Sequence, residues 1–270
     1  MSAGTLPIGV FDSGVGGLTV LRALRLAMPT EDFIYLGDTA RLPYGTKSAA
    51  TVVRYSLQCA AALCRREIRC LVVACNTASA SALAALRIEY PSLPVIGVIE
   101  PGAAAAVAAS ESQHIAVIAT EGTIGGGAYQ SAIHRLSADA RVTSRACSLF
   151  VALAEEGWTE GPIAEAVARR YLQPLFDVAE APDTLVLGCT HFPVLEAAIR
   201  AVLPPTVHIV DSAATTAAAV ARLLPPAASL RTTTGRVTWL ATDGAARFAR
   251  VGTTFLGETL QGSDVEIIDL

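Results

Sequence analysis

The sequence predicts an α/β protein of two pseudo-symmetric α/β domains, with mainly parallel sheets and an active site in the inter-domain cleft. Three observations predict it. Apolar runs of strand length alternate with amphipathic or Ala-rich helical stretches. Two of those strands recur later in the chain with similar endings. In each half, a cysteine follows directly on one of the recurring strands. A chain of 270 residues, 52% hydrophobic and 16% charged, has enough apolar material for a large core and little tendency to disorder.

The expected strands are Ile8–Phe11, Phe33–Leu36, Cys70–Ala74, Val95–Ile99, Ile115–Ala119, Thr184–Leu187, Val207–Val210 and Val237–Ala241. Helical stretches separate most of them, among them Leu18–Ala27, Ser48–Arg65, Ala78–Ile88, Ile163–Ala179 and Val194–Val202. Strands alternating with helices imply parallel sheets covered by helices, and ligands in such sheets bind beyond the carboxyl ends of the strands. Residues just after a strand are therefore the functional candidates.

Ile8-Gly9-Val10-Phe11-Asp12-Ser13-Gly14 is echoed by Ile115-Ala116-Val117-Ile118-Ala119-Thr120-Glu121-Gly122. Leu71-Val72-Val73-Ala74-Cys75-Asn76-Thr77 is echoed, at nearly the same offset, by Leu185-Val186-Leu187-Gly188-Cys189-Thr190-His191. The two echoes favour a pseudo-twofold. With hinges at Ile99-Glu100-Pro101-Gly102 and Asp211-Ser212, residues 1–98 plus 212–270 form the first domain and residues 99–211 a second, inserted one.

Bulk chemistry narrows the function. A net charge of −4 and a pI near 5.6 argue against nucleic-acid binding, which needs dense Lys and Arg. The opening residues lack the basic and apolar regions of a signal peptide, and no apolar run reaches membrane-spanning length. A soluble, cytoplasmic protein is the expectation. Lys47 is the only lysine, placed where a turn leads into a helix, so Schiff-base chemistry with pyridoxal phosphate is improbable. The six cysteines, at 59, 64, 70, 75, 147 and 189, contain no C-x-x-C pair and read as reduced thiols. Cys59, Cys64, Cys70 and Cys147 read as buried small hydrophobes.

Cys75 and Cys189 differ from these. Each ends a buried strand just before a helix, and a helix N-terminus lowers a thiol's pKa toward neutrality. Facing one another across a cleft, one thiolate removes a proton from a carbon and one thiol delivers a proton to its opposite face, inverting it. Asn76, Thr77, Thr190 and His191 can hydrogen-bond a bound carboxylate or assist a thiol, and a histidine such as His191 can titrate near neutral pH. Asp12 and Ser13 end the first strand, where a carboxylate can hold an ammonium group or pair with Cys75. Gly14, Gly16 and Gly17 match no phosphate-loop spacing and read as a tight strand-to-helix turn with anion-binding amides. Tyr44 and Gly45 are candidate substrate contacts through backbone and hydroxyl groups, while Asp38 and Arg41 brace their loop.

These segments together resemble the glutamate racemases of the cofactor-independent aspartate/glutamate racemase superfamily. The resemblance rests on Phe11-Asp12-Ser13-Gly14-Val15-Gly16-Gly17-Leu18-Thr19-Val20, Tyr35-Leu36-Gly37-Asp38-Thr39 with Pro43-Tyr44-Gly45, Ala74-Cys75-Asn76-Thr77-Ala78-Ser79-Ala80, Leu187-Gly188-Cys189-Thr190-His191-Phe192-Pro193 and Val210-Asp211-Ser212-Ala213. His191 after Cys189-Thr190 looks like the glutamate branch rather than the aspartate branch. The resemblance implies racemisation of glutamate without cofactor or metal, a supply of D-glutamate for peptidoglycan, and a homodimer. It also implies that Cys75 and Cys189 are the acid–base pair, Asp12 assisting the first and His191 the second. Implied substrate contacts are Asp12, Ser13, Tyr44, Gly45, Asn76, Thr77, Thr190 and His191. Glu155 matches an acidic position of the family and is placed near His191.

Two departures stand out. A family Lys-Ser pair is replaced after Gly122-Thr123, where Gly125-Gly126-Gly127 predicts a mobile loop that puts any inter-domain contact made there in doubt, and Ala152 replaces a proline. Other readings are an aspartate racemase, a single-cysteine decarboxylase of the same fold, and a two-lobed amino-acid-binding protein. The second cysteine speaks against the decarboxylase, and the missing export signal against the binding protein.

Overall fold

The computed structural model describes residues 6–224 and 233–270 and contains two parallel sheets. The first half of the chain supplies β1 (Ile8–Asp12), α1 (Leu18–Ala27), β2 (Phe33–Gly37), α2 (Ala49–Cys64), β3 (Cys70–Val73), α3 (Asn76–Glu89) and β4 (Val95–Gly97). It then runs through α4 (Ile99–Ala109), β5 (His114–Ala119), α5 (Glu121–Gly125), α6 (Ala128–Leu136), β6 (Arg141–Ala146), α7 (Leu149–Glu155) and α8 (Gly161–Phe176). The remainder is β7 (Thr184–Gly188), α9 (Glu196–Arg200), β8 (His208–Asp211), α10 (Ser212–Leu223), β9 (Val237–Ala241), α11 (Ala245–Leu256) and β10 (Val265–Ile267).

The first sheet has the order β10-β9-β2-β1-β3-β4 and the second β6-β5-β7-β8, with every neighbouring pair parallel. Every residue of β1, β5 and β7 is buried, as expected where helices cover both faces of a parallel sheet. The internal echoes acquire a structural meaning here. The first echo relates β1 to β5 and the second relates β3 to β7, and in each sheet those two strands are hydrogen-bonded neighbours.

The chain leaves the first sheet after β4 and returns to it with β9. Helix α10 packs on both α1 and α4 between the sheets. Leu21 and Leu24 of α1 share one apolar cluster with Ala103 and Ala106 of α4 and Ala217 and Val220 of α10, and that cluster reaches β5 and β7. The two sheets are thus joined through a common core.

Local signals explain most boundaries. Ser48 caps α2 by accepting from the Thr51 amide, and the Asp211 carboxylate caps α10 by accepting from Ala213 at 2.8 Å. Some expected elements differ. The strand expected over Val95–Ile99 ends at Gly97, because Val98 already has helical backbone and Ile99 opens α4. The helix expected over Ile163–Ala179 runs from Gly161, with Pro162 in its first turn, to Phe176. The helix expected over Val194–Val202 is a 3₁₀ turn, Phe192–Leu195, followed by the short α9. Gly125 ends α5, Gly126 caps it and Gly127 takes a φ of 61° before α6.

Candidate functional site

Register in the first sheet places Asp12 opposite Gly37, and Phe11 opposite Val73, so Asp12 and Cys75 emerge at the same carboxyl edge. In the second sheet Ala119 lies opposite Gly188, so Thr120 and Cys189 emerge together. These two edges meet. The Thr77 hydroxyl lies 3.0 Å from that of Thr120 and 3.1 Å from that of Thr123, and the Thr19 hydroxyl donates to the Thr190 carbonyl at 3.0 Å. A Cβ on Gly45 would come within 2.8 Å of Thr120, and one on Gly122 within 2.9 Å of the Gly45 carbonyl. Thr123, two residues before the triple glycine, thus makes a contact across the cleft.

Cys75 caps α3, its sulfur accepting from the Ala78 amide at 3.5 Å with the Ser13 hydroxyl 3.7 Å away. The expected lowering of this thiol by the helix terminus does not carry the balance. Burial, reinforced by the nearby Asp12 charge, outweighs the Ala78 amide and pushes the thiol up to about 12. Asp12 is fully buried and accepts from the Gly14 amide at 2.9 Å through Oδ2, while Oδ1 has no partner. Burial also raises the Asp12 carboxyl, with the charge of His191 opposing.

Cys189 departs from the expected symmetry. It is followed by the 3₁₀ turn rather than a full helix, and its partner is a side chain: His191 Nδ1 lies 3.8 Å from Sγ. The other ring nitrogen lies 3.2 Å from Glu155 Oε1, and the second Glu155 oxygen accepts from Arg247 at 2.8 Å. Burial opposes a charge on His191, but its bonds to Cys189 and Glu155 prevail and hold the imidazole up to about 10. Burial likewise opposes a charge on Glu155, yet the bonds from His191 and Arg247 bring it down to about 2. An imidazolium beside the sulfur is the partner a thiolate needs.

The remaining predicted residues lie around this pair. Asn76 is buried, with its side-chain oxygen accepting from Tyr129 at 2.8 Å and its amide nitrogen lacking a partner. Tyr44 is fully buried and its hydroxyl donates to Asp38, so only its main chain remains for a ligand. Asp38 and Arg41 brace the loop as expected: the guanidinium meets the Asp38 carboxylate at 2.7 Å, and Thr242 donates to the same group at 3.0 Å. Gly16 and Gly17 owe their identity to space. A Cβ on Gly16 would lie 2.4 Å from His191 Nδ1, and one on Gly17 2.5 Å from the Asp12 Cβ.

Sequence reasoning missed Thr120, Thr123, Tyr129, Arg247 and Phe255, whose ring meets the His191 ring edge-on at 5.1 Å. Thr120 was accessible from the strand echo, which aligns it with Ser13. Nothing local marks the others. Among the described residues no group of three or more His, Cys, Asp or Glu is placed to hold a metal ion, and no helix is long and apolar enough to cross a membrane.

Fold and site together define a class: α/β proteins with a buried free cysteine at the strand ends of each of two parallel sheets. Residues 16–221 match the family of Asp/Glu/Hydantoin racemases, and the chain belongs to that family. It is 53% identical over 255 residues to a glutamate racemase of Geobacter metallireducens, covering 94% of this chain and 93% of that protein. It is 45% identical over 260 residues to a glutamate racemase of Syntrophus aciditrophicus, covering 95% and 94%. Its fold matches the crystal structure of a Francisella tularensis glutamate racemase in complex with D-glutamate, with a TM-score of 0.89, 36% identity and 98% of both chains covered.

Proposed function

We propose that this chain interconverts L- and D-glutamate by two-base proton transfer between Cys75 and Cys189. The observation that carries the reading is the placement of the two buried thiols at the meeting edges of the two sheets, in a chain so similar to glutamate racemases. One thiolate takes the Cα proton, and the electron pair is held briefly toward the substrate α-carboxylate. The opposite thiol then donates its proton to the other face of Cα, so that thiol and thiolate exchange places and no atom is gained or lost. His191 is held charged 3.8 Å from the Cys189 sulfur, whereas the Cys75 thiol is pushed up, so the two sulfurs sit in unlike surroundings. Asp12, whose charge acts on Cys75, is the carboxylate proposed to assist that thiol in the reverse direction.

The unpartnered polar atoms support a zwitterionic ligand. The buried Asn76 amide suits a substrate carboxylate, and the free Asp12 oxygen suits an ammonium. Ser13, Gly45, Thr77 and Thr190 complete the proposed binding set, with Tyr44 contributing main chain only. Residues 1–98 with 212–270, and 99–211, are the proposed domains, a division supported by the membership of the two sheets.

The test is purified protein in D₂O with each glutamate enantiomer and aspartate, without added cofactor, following rotation and loss of the Cα–H signal. Rotation decaying toward zero with both glutamate enantiomers is expected; no change with either overturns the proposal. The wider role is D-glutamate supply for peptidoglycan by a cytoplasmic homodimer. The six unpaired cysteines fit a reducing compartment, and light scattering reads the oligomer directly.

A further inference from the structure

Helix α11 follows β9 of the first sheet, yet it reaches the residue that follows the central strand of the second. Phe255, near its C-terminus, lies edge-on to the His191 ring. Arg247, near its N-terminus, donates to Glu155 Oε2 at 2.8 Å, while Glu155 Oε1 faces His191 Nε2 at 3.2 Å and His191 Nδ1 faces the Cys189 sulfur at 3.8 Å. The result is one line of groups, guanidinium to carboxylate to imidazole to thiol, that begins on one side of the cleft and ends on the other. Glu155 is held at both oxygens: it is the last residue of the seven-residue α7, with one oxygen facing His191 and the other accepting from Arg247. The Arg247 side chain is 49% exposed and the Glu155 side chain only 15%. The guanidinium thus closes this line of groups at its outer end, where water would otherwise compete for the carboxylate.

We infer that Arg247 is a positioning residue for the proton transfer: by fixing Glu155 from across the cleft it orients His191 toward Cys189 and leaves Cys75 untouched. This deepens the proposed racemase function and rests on it for its effect on turnover. The chemical consequence is an asymmetry between the two thiols. Loss of Arg247 frees the carboxylate to turn to solvent, the imidazole loses its anchor at Nε2, and the Cys189 sulfur loses its oriented partner. Cys75 keeps its hydrogen bonds with Ser13 and Ala78 and the nearby Asp12 charge, and Cys189 is the smallest of the influences on it. Because the two enantiomers of a racemase are equally stable, kcat/KM must fall equally in both directions, so direction of turnover alone does not reveal which thiol is affected.

Alkylation does. The full-length protein, free of substrate, is treated with limiting iodoacetamide, and modification of the Cys75 and Cys189 peptides is followed by mass spectrometry in wild type, Arg247→Gln, Arg247→Lys and Glu155→Gln. In Arg247→Gln the ratio of Cys189 to Cys75 modification is expected to fall about tenfold, the scale of losing one charge-assisted hydrogen bond. Arg247→Lys restores most of it, and Glu155→Gln reproduces the loss. In parallel, kcat of Arg247→Gln falls by a similar factor with KM changed less than about twofold. An unchanged ratio in Arg247→Gln overturns the inference, as does a change in both cysteines together, which marks general loosening. The alkylation readout needs no turnover, so an inactive enzyme with the expected ratio would defeat the glutamate reading and leave the role of Arg247 standing.

Discussion

Replacing Gly16 by alanine adds one carbon at the point where the loop after β1 meets the residues after Cys189. That carbon would lie 2.4 Å from His191 Nδ1, 2.5 Å from His191 Cε1 and 2.5 Å from Thr190 Oγ1. Ordinary contact between such atoms is about 3.5 Å, so the ring must retreat by about 1 Å. It has little room to do so, with Phe255 edge-on at 5.1 Å and Glu155 at 3.2 Å from Nε2. The contact most exposed to this push is the 3.8 Å approach of Nδ1 to the Cys189 sulfur. A 1 Å misplacement of an acid–base group costs about 100-fold in rate, and overpacking costs about 1–3 kcal/mol in stability. For a chain of this size that destabilisation corresponds to a Tm lower by about 2–10 °C. The expected outcome is a folded protein with about 1% of wild-type kcat/KM, read by polarimetry with either enantiomer alongside thermal melting by circular dichroism. Gly14→Ala is the control, since its Cβ meets nothing nearer than the Leu42 side chain at 3.4 Å. Gly16→Ala within about threefold of wild type would refute the reasoning, as would Gly14→Ala with equal damage.

Other outcomes follow from the same geometry. Tyr129→Phe removes the donor from the Asn76 oxygen and frees the amide to turn; KM should rise about threefold or more and unfolding free energy fall by about 1 kcal/mol, read by steady-state kinetics and urea titration. Asp12→Asn removes a charge that raises the Cys75 thiol, so Cys75 should alkylate faster at pH 8 in the free enzyme, although burial, the larger cause, persists; slower alkylation contradicts this. His191 is raised from 6.5 to about 10 on folding, so its ionic contribution to stability is complete below pH 6.5 and is lost as pH rises through about 10. The stability gap between wild type and His191→Asn, measured in urea, should therefore narrow from pH 6 to pH 10, and a widening gap would contradict the assignment.

Much of this architecture was legible in the residues because its central strands are apolar throughout and end in small polar loops. Cys75 and Cys189 stand out from that pattern alone, and the strand echo points to two similar halves, whose related strands pair as β1 with β3 and β5 with β7 in the fold. Strand β6, Arg-Val-Thr-Ser-Arg-Ala, escaped notice because it lies at a sheet edge with mostly half-exposed residues and carries no apolar run. Strand β10, Val-Glu-Ile, is interrupted by a charge and so carries no apolar run. In the site, what could not be read was whatever depends on contact between distant segments. Arg247 is one of nineteen arginines in an unremarkable helix, and only the fold brings it to Glu155. The pKa of Cys75 was misjudged for a related reason: the helix terminus is local and visible, whereas burial and the Asp12 charge are products of packing.

The pairing of β2 with β9 joins residues Phe33–Gly37 to Val237–Ala241, with the whole of the second sheet encoded between them. As the chain is synthesised, β1 and β3 can pair early, but the outer edge of β2 must wait for nearly all the rest to emerge. An apolar, unpaired parallel edge is the sort of surface on which nascent chains stick to one another. The delay also orders the assembly of chemistry: Asp12, Cys75 and Cys189 are all made before α11, the helix that closes on His191. A ribosome therefore finishes Cys75 and Cys189 first and delivers the helix that packs against His191 almost last.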